Sequence, residues 1–261
     1  MSDTIDFDAE AARRVERAYL TPDIVAQRQE VLRELDPQPG ETVLDIGVGP
    51  GLLAEDLAEA VGSTGRMIGI DAGLPMVEMS RLRCSELSWT HFEVADACEL
   101  PCETASVDRA VSTQVYEYVE DMPRALEELF RVLRPGGQAL ILDTDYDSFV
   151  LRSSDEALTA RILDAWDAHF VHRDLPRHLS GLLREAGFDV SRRTVMPLLN
   201  ADYHRDTFGY GLLRFMASFA VGGGVEKSET KRWIAELDEL GERGDFFFSL
   251  NRYLFVATKP A

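Results

Sequence analysis

Three aspartates stand at the ends of successive apolar runs: Asp45 in "VLDIGVGPG", Asp71 in "MIGID" and Asp96 in "FEVAD". After the first of them, glycines occupy alternating positions at Gly47, Gly49 and Gly51. Glycine accepts positive φ and lets the backbone come close to a ligand. A helix beginning just beyond the turn offers free N–H groups. The spacing argues against two common phosphate sites. A dinucleotide fingerprint would need glycine at position 52, where Leu52 stands, and a phosphate loop would need Gly-Lys followed by Ser or Thr. Asp45, two residues before the first glycine, would repel a pyrophosphate and suits a cationic ligand. Asp71 at a strand tip can accept from both hydroxyls of a ribose. Asp96 can accept from an exocyclic adenine amine. Together they describe a nucleoside site with a place for positive charge.

These acids need a scaffold that brings strand ends together. Strand-like runs at 42–47, 66–71, 89–95, 107–113 and 137–143 alternate with helical spacing at 51–61, 74–86 and 121–132. Such alternation gives an α/β fold with a mostly parallel, doubly wound sheet. Short apolar strands such as "QALILD" suit a sheet covered on both faces. Beyond residue 150 the texture changes. Helical patterns at 154–170, 176–187, 206–220 and 226–242 surround an extended run at 188–198. A last aromatic strand, "DFFFSLNRYLFVAT", follows them. Gly222, Gly223 and Gly224 mark a joint within a helical cap rather than a domain boundary.

Composition narrows the function classes. The 261 residues suit a single domain, 1–261, and 45% of them are hydrophobic. A net charge of −19 repels nucleic acid and anionic lipid. No stretch reaches the roughly 18 apolar residues of a membrane span. The N-terminus "MSDTIDFDAEAARRVERAYL" lacks the apolar segment of a secretory signal, so a cytoplasmic location is expected. Cys84, Cys98 and Cys102 form no metal-binding spacing, and no metal is expected.

The motifs "VLDIGVGPG" (43–51), "GID" (69–71), "VADACELP" (94–101) and "RVLRPGG" (131–137) resemble those of class I S-adenosylmethionine-dependent methyltransferases. Within that class they resemble the small-molecule group that includes the menaquinone and ubiquinone C-methyltransferases. The resemblance covers about residues 15–145. It implies a seven-stranded Rossmann-like sheet, an N-terminal helix (15–35) closing over S-adenosylmethionine, and a helical cap (200–243) inserted before the last strand. It also implies roles. Gly47 and Gly49 let the backbone approach the methionine part, and Asp45 faces its amino group. Asp71, with Ala72 beside it, holds the ribose. Asp96 and Ala97 read adenine, and Gln114 lies near the methionine. In "AYLTPDIVAQRQEVL", Arg28 is the candidate for the methionine carboxylate, since a guanidinium matches a carboxylate in a two-pronged geometry. Tyr19 and Gln27 assist.

Methyl transfer from a sulfonium is an in-line displacement that depends on orientation. A base is needed only where the acceptor loses a proton. His169, His172, His178 and His204 are candidate bases. Tyr116 and Tyr118 follow the fourth strand, near the expected methyl position. "DTDYDS" (143–148) fails as a calcium loop, because Ser148 and Ser154 occupy its glycine and glutamate positions. Asp145 then reads as a strand-end acid near the acceptor. We name His172, Tyr116 and Asp145 as the catalytic candidates. The stretch "FGYGLLRFMASFAV" (208–221) either roofs the acceptor or meets a second copy in a homodimer. Phe208, Tyr210, Phe215 and Phe219 point to a small apolar or aromatic methyl acceptor, methylated on C, O or N. The alternatives are a non-catalytic S-adenosylmethionine-binding protein of the same fold and a nicotinamide-dependent oxidoreductase.

Overall fold

Alternation along each strand divides the apolar residues between two faces. Leu44, Ile46, Ile68, Ile70, Ala139 and Ile141 pack into one core, and Val43, Met67, Leu140 and Leu142 into another. A sheet buried on both faces follows. The computed structural model describes residues 9–261; the acidic opening at 1–8 lies outside them. The strands are β1 (Thr42–Ile46), β2 (Arg66–Asp71), β3 (Thr90–Val94), β4 (Val107–Thr113), β5 (Leu133–Leu151), β6 (Asp189–Asn200) and β7 (Phe248–Thr258). They form one sheet in the order β3-β2-β1-β4-β5-β7-β6. β1 to β5 run parallel, and β7 lies antiparallel to both β5 and β6. Strand order reverses between β1 and β4, which opens a crevice at their carboxyl ends.

Helices α1 (Ala9–Tyr19), α2 (Pro22–Leu35), α3 (Leu52–Val61) and α4 (Leu74–Arg83) belong to the first half of the chain. α2, α3 and α4 cover one face through Val31, Leu35, Leu57 and Val77. α5 (Met122–Val132) and α7 (Pro176–Glu185) cover the other through Leu126, Leu129, Leu179 and Leu183. The single helix expected over 15–35 is two. Pro22 at the start of α2 disfavours helical backbone in the residue before it, and Thr21 is extended at φ −63 and ψ 146.

α6 (Glu156–Asp167), α8 (Phe208–Gly222) and α9 (Lys227–Glu242) build a third core, and the last two fill the segment between β6 and β7. Leu212, Leu213, Met216 and Ala220 of α8 meet Ile162 and Trp166 of α6, Trp233 and Leu237 of α9, and Phe248 of β7. Leu212, Leu213, Met216 and Ala220 of α8 therefore pack inward, while Phe208, Tyr210, Phe215 and Phe219 are half-buried. Among the described residues no helix is long and apolar enough to cross a membrane.

Candidate active site

The turn after β1 is fixed by contacts that only glycine permits. Gly47 sits at φ +74, and a Cβ there would lie 2.1 Å from Cγ2 of Val115. Gly51, at φ +81, would place a Cβ 2.8 Å from Cα of Ser80. The Ser80 hydroxyl donates to the Gly49 carbonyl at 2.8 Å and pins the turn to α4. The Gly47 and Val48 amides both donate to the Ile70 carbonyl at 2.8 Å, tying β1 to β2 where the cavity begins.

Three carboxylates face this turn. Oδ2 of Asp71 accepts from the Gly49 amide at 3.0 Å, and Oδ1 accepts from the Gly73 amide at 2.8 Å. Each oxygen keeps a lone pair for a ligand. Burial raises the Asp71 pKa and the two amide bonds oppose that rise. Asp45 is fully buried, and its Oδ1 has no hydrogen-bond partner. Burial, with the Asp71 charge added, pushes its pKa up to about 8. Oδ1 of Asp96 accepts from the Cys98 amide at 2.8 Å, leaving Oδ2 available. A buried, unpartnered carboxyl invites a cationic donor.

At the end of β4, Gln114 holds a left-handed backbone at φ +61, a conformation that costs a non-glycine residue about 1–3 kcal/mol. Its amide and its Nε2 donate to the Leu142 carbonyl at 2.8 and 3.2 Å, and its Oε1 accepts from the Thr144 hydroxyl. The strain is held in place by β5 and turns the chain into the cavity.

The cavity at these strand ends encloses about 1120 Å³. Single-ligand pockets span about 300–1,000 Å³, so there is room for a nucleoside and a second small molecule. Tyr19, Gln27, Arg28, Asp45, Gly47, Gly49, Asp71, Ala72, Asp96, Ala97 and Gln114 all line it. Arg28 is already engaged: Nε donates to Asp56 at 2.9 Å and Nη1 to the Tyr19 carbonyl at 3.3 Å. Its Nη2 hydrogens remain for a ligand carboxylate.

The three catalytic candidates are not brought to the cavity. Tyr116 is fully buried in the core beneath α5, with its hydroxyl unpartnered and its pKa raised by burial. The 3₁₀ turn over Tyr116–Tyr118 points successive side chains in different directions, and Tyr118 is the one that faces the cavity. His172 spends Nε2 on the Val119 carbonyl at 3.0 Å and stands off the cavity wall. Asp145 is clamped by Arg177, with Nε and Nη2 at 2.9 and 3.0 Å. β5 continues past Asp143 to Leu151, carrying Asp145 away from the strand ends that line the cavity. Phe208, Tyr210, Phe215 and Phe219 do not line it either. Phe219 packs on His169 with ring centroids 5.1 Å apart, and Phe208 lies under the Arg252 guanidinium at 4.5 Å. These helices back the cavity instead of roofing it.

Tyr118, His169 and Arg252 also line the cavity. Nδ1 of His169 is hydrogen-bonded to the Trp166 carbonyl, and its Nε2 is buried without a partner. Burial lowers its pKa to about 4, so the ring is neutral near pH 7. Arg252 is 2% exposed; Nη1 donates to Gln27 at 3.3 Å and Nε is unpartnered. Behind it lie Glu117 and Asp143, whose pKa values are raised by burial.

Residues 44–141 match the family described as a methyltransferase domain. A protein of Streptomyces fradiae, described as an uncharacterized 37.1 kDa protein in transposon TN4556, is 35% identical over 233 residues, covering 87% of this chain and 65% of its own. The demethylmenaquinone methyltransferase of Oceanobacillus iheyensis is 32% identical over 125 residues, covering 47% of this chain and 52% of its own. The chain thus spans between half and two thirds of the length of these relatives. Phosphoethanolamine N-methyltransferase 2 of Haemonchus contortus, solved with S-adenosyl-L-methionine, superposes with a TM-score of 0.65 at 19% identity, over 99% of this chain and 59% of its own. That likeness concerns the fold.

Arg252 is not among the site residues expected from the sequence. A signal for it was present. Phe248, Leu250, Arg252, Leu254 and Val256 alternate along β7, so the pattern places one arginine among core-facing positions. A charge there needs a partner or a ligand.

Proposed function

We propose that the protein is an S-adenosylmethionine-dependent methyltransferase acting on a small apolar or aromatic metabolite. The observation that carries this reading is the Asp45 carboxyl, buried and unpartnered, beside a glycine turn and two further strand-end carboxylates. That donor set fits a nucleoside with an ammonium group and fits a pyrophosphate poorly. Asp71 would hold the ribose hydroxyls, and Asp96 with the Ala97 amide would hold adenine. Asp45 would meet the ammonium, and Arg28, flanked by Tyr19 and Gln27, the carboxylate. Bound there, the cofactor supplies an activated methyl group. Gln114 fixes the backbone at the end of β4, and Tyr118, His169 and Arg252, which line the same cavity, orient the acceptor. Holding both partners in line can supply roughly 7–11 kcal/mol of the barrier.

Charge and thiol chemistry support the remaining parts of this reading. A net charge of −19 disfavours a nucleic-acid acceptor. Three free cysteines fit a reducing, cytoplasmic setting.

The test is a transfer assay with methyl-tritiated S-adenosylmethionine and a panel of naphthols, quinols and aromatic amines. Label in an extractable product is the expected result. Cofactor binding with no labelled product from any class would favour a binding protein without catalysis.

A further inference from the structure

Arg252 is almost fully buried, and arginine cannot shed its charge by losing a proton. Other part-buried arginines meet carboxylates: Arg28 meets Asp56, Arg109 meets Glu41 and Arg131 meets Glu128. Among the described residues no carboxylate forms an ion pair with Arg252, and its one hydrogen bond runs from Nη1 to Oε1 of Gln27 at 3.3 Å. The acids whose charge it feels, Asp143 and Glu117, accept instead from the Val115 and Thr144 amides at 3.1 and 3.2 Å. Burial raises both of their pKa values and favours the uncharged forms. The Phe208 ring covers one face of the guanidinium at 4.5 Å, and Nε is shut inside the protein. Nη2 has no partner either, but it keeps accessible surface, and Arg252 lines the same cavity as Gln27. One donor edge of a fixed cation thus opens on the cavity.

Position in the sheet separates this cation from the nucleoside acids. Asp96, Asp71 and Asp45 stand at β3, β2 and β1. β7 lies three strands beyond β1 in the sheet order, about 14 Å across at about 4.8 Å per strand. Arg252 is in register with Thr144, two residues past Leu142, the partner of the last residue of β4. It therefore stands past the end of β4, on the far side of Gln114 from the three acids. We propose that Nη2 of Arg252 binds an anionic oxygen of the methyl acceptor, so that the acceptor is an aromatic compound carrying a carboxylate or an ionised ring hydroxyl. This rests on the methyltransferase reading above. A hydrogen bond between two charged partners is about twice as strong as a neutral one, and the ligand supplies the counter-charge that the fold leaves out. Gln27 holds Nη1 and fixes the plane of the guanidinium. A neutral acceptor of the same shape leaves the cation unmatched, and that difference makes Arg252 a specificity-determining residue.

The test uses the full chain loaded with S-adenosylhomocysteine and titrated in a calorimeter with 2-naphthoate, 2-naphthamide and 4-nitrophenolate. The acid and its amide share one shape and differ in charge. We expect one or both anions to bind about 10–100-fold tighter than the amide, the worth of a charge-assisted hydrogen bond. Which anion does so separates a carboxylate from an ionised hydroxyl. Arg252→Gln should remove that preference and Arg252→Lys should restore part of it, with affinity for S-adenosylhomocysteine unchanged in both. Equal binding of anions and amide by the unaltered protein, or no binding of either anion, would overturn the assignment whether or not the variants fold. An anion preference that survives Arg252→Gln would overturn it as well. Loss of S-adenosylhomocysteine affinity in Arg252→Gln alone would place the arginine on the cofactor carboxylate and also overturn it. Failure of the unaltered protein to bind S-adenosylhomocysteine is a separate outcome, and it would strike the functional reading itself.

Discussion

The residues that line the cavity come from two kinds of source. The first set consists of backbone turns and carboxylates at strand ends between Asp45 and Gln114, with Tyr19 of α1 and Gln27 and Arg28 of α2 beside them. The second set consists of side chains from distant segments: Tyr118 after β4, His169 after α6 and Arg252 in β7. The first is rigid because glycines and amide hydrogen bonds admit one conformation. The second is held by the aromatic core of α6, α8 and α9 behind it. On the proposed function, cofactor recognition depends on local geometry and acceptor recognition on the packing behind the second set.

The sharpest way to break that division is Gly47→Ala. The new methyl would collide with Val115 at a backbone that disfavours any side chain. Strain and overpacking of about 1–3 kcal/mol each should appear in denaturant unfolding, and calorimetry should show cofactor binding lost. Trp233→Ala makes the opposite cut. Trp233 is fully buried in the third core and donates to Thr159 at 2.9 Å. Its loss should cost about 3–5 kcal/mol of stability and impair turnover while cofactor affinity holds. If Trp233→Ala weakens the cofactor as much as the acceptor, the two sets are not independent.

Smaller effects sharpen the picture. Asp71→Ala should weaken S-adenosylmethionine by about 100-fold, since charge-assisted hydrogen bonds are worth about 1.5–3 kcal/mol each; unchanged affinity would refute the ribose assignment. Asp45 gives a proton signature. With its pKa raised from 3.8 to about 8, its carboxyl is mostly protonated at pH 7. The folded state then holds a proton that the unfolded state releases. Its stabilising contribution is fully present below pH 3.8 and is lost as pH rises through about 8. Binding an ammonium group should expel that proton, so calorimetry at pH 7 in buffers of differing ionisation enthalpy should show release approaching one proton. Asp45→Asn should abolish it. The smallest effect is expected from Asp145→Asn, which weakens the Arg177 clamp and the bond from the Asp147 amide, both outside the cavity. Its kcat should match that of the unaltered protein.

The same division explains what could be read from the chain. Strand ends, glycine spacing and alternating elements are local patterns, and every cofactor-side candidate, from Tyr19 to Gln114, lines the cavity. The acceptor side escaped because side-chain direction there is set by tertiary contacts. Tyr116 and Tyr118 are two residues apart, yet a short 3₁₀ turn buries one and presents the other. His169 and His172 look alike in "AHFVHRD", but the end of α6 turns the first inward and leaves the second on the Val119 carbonyl. Asp145 looked like a strand-end acid because nothing local showed that β5 would continue to Leu151.

The central claim is that the strand-end carboxylates form a seat for a cationic nucleoside, and titration calorimetry tests it most directly. The protein would be titrated with S-adenosylmethionine, S-adenosylhomocysteine and NAD. Binding of the first two, lost in Gly47→Ala and weakened in Asp71→Ala, with no heat from NAD, is the predicted result. Tight NAD binding without S-adenosylmethionine binding would contradict it.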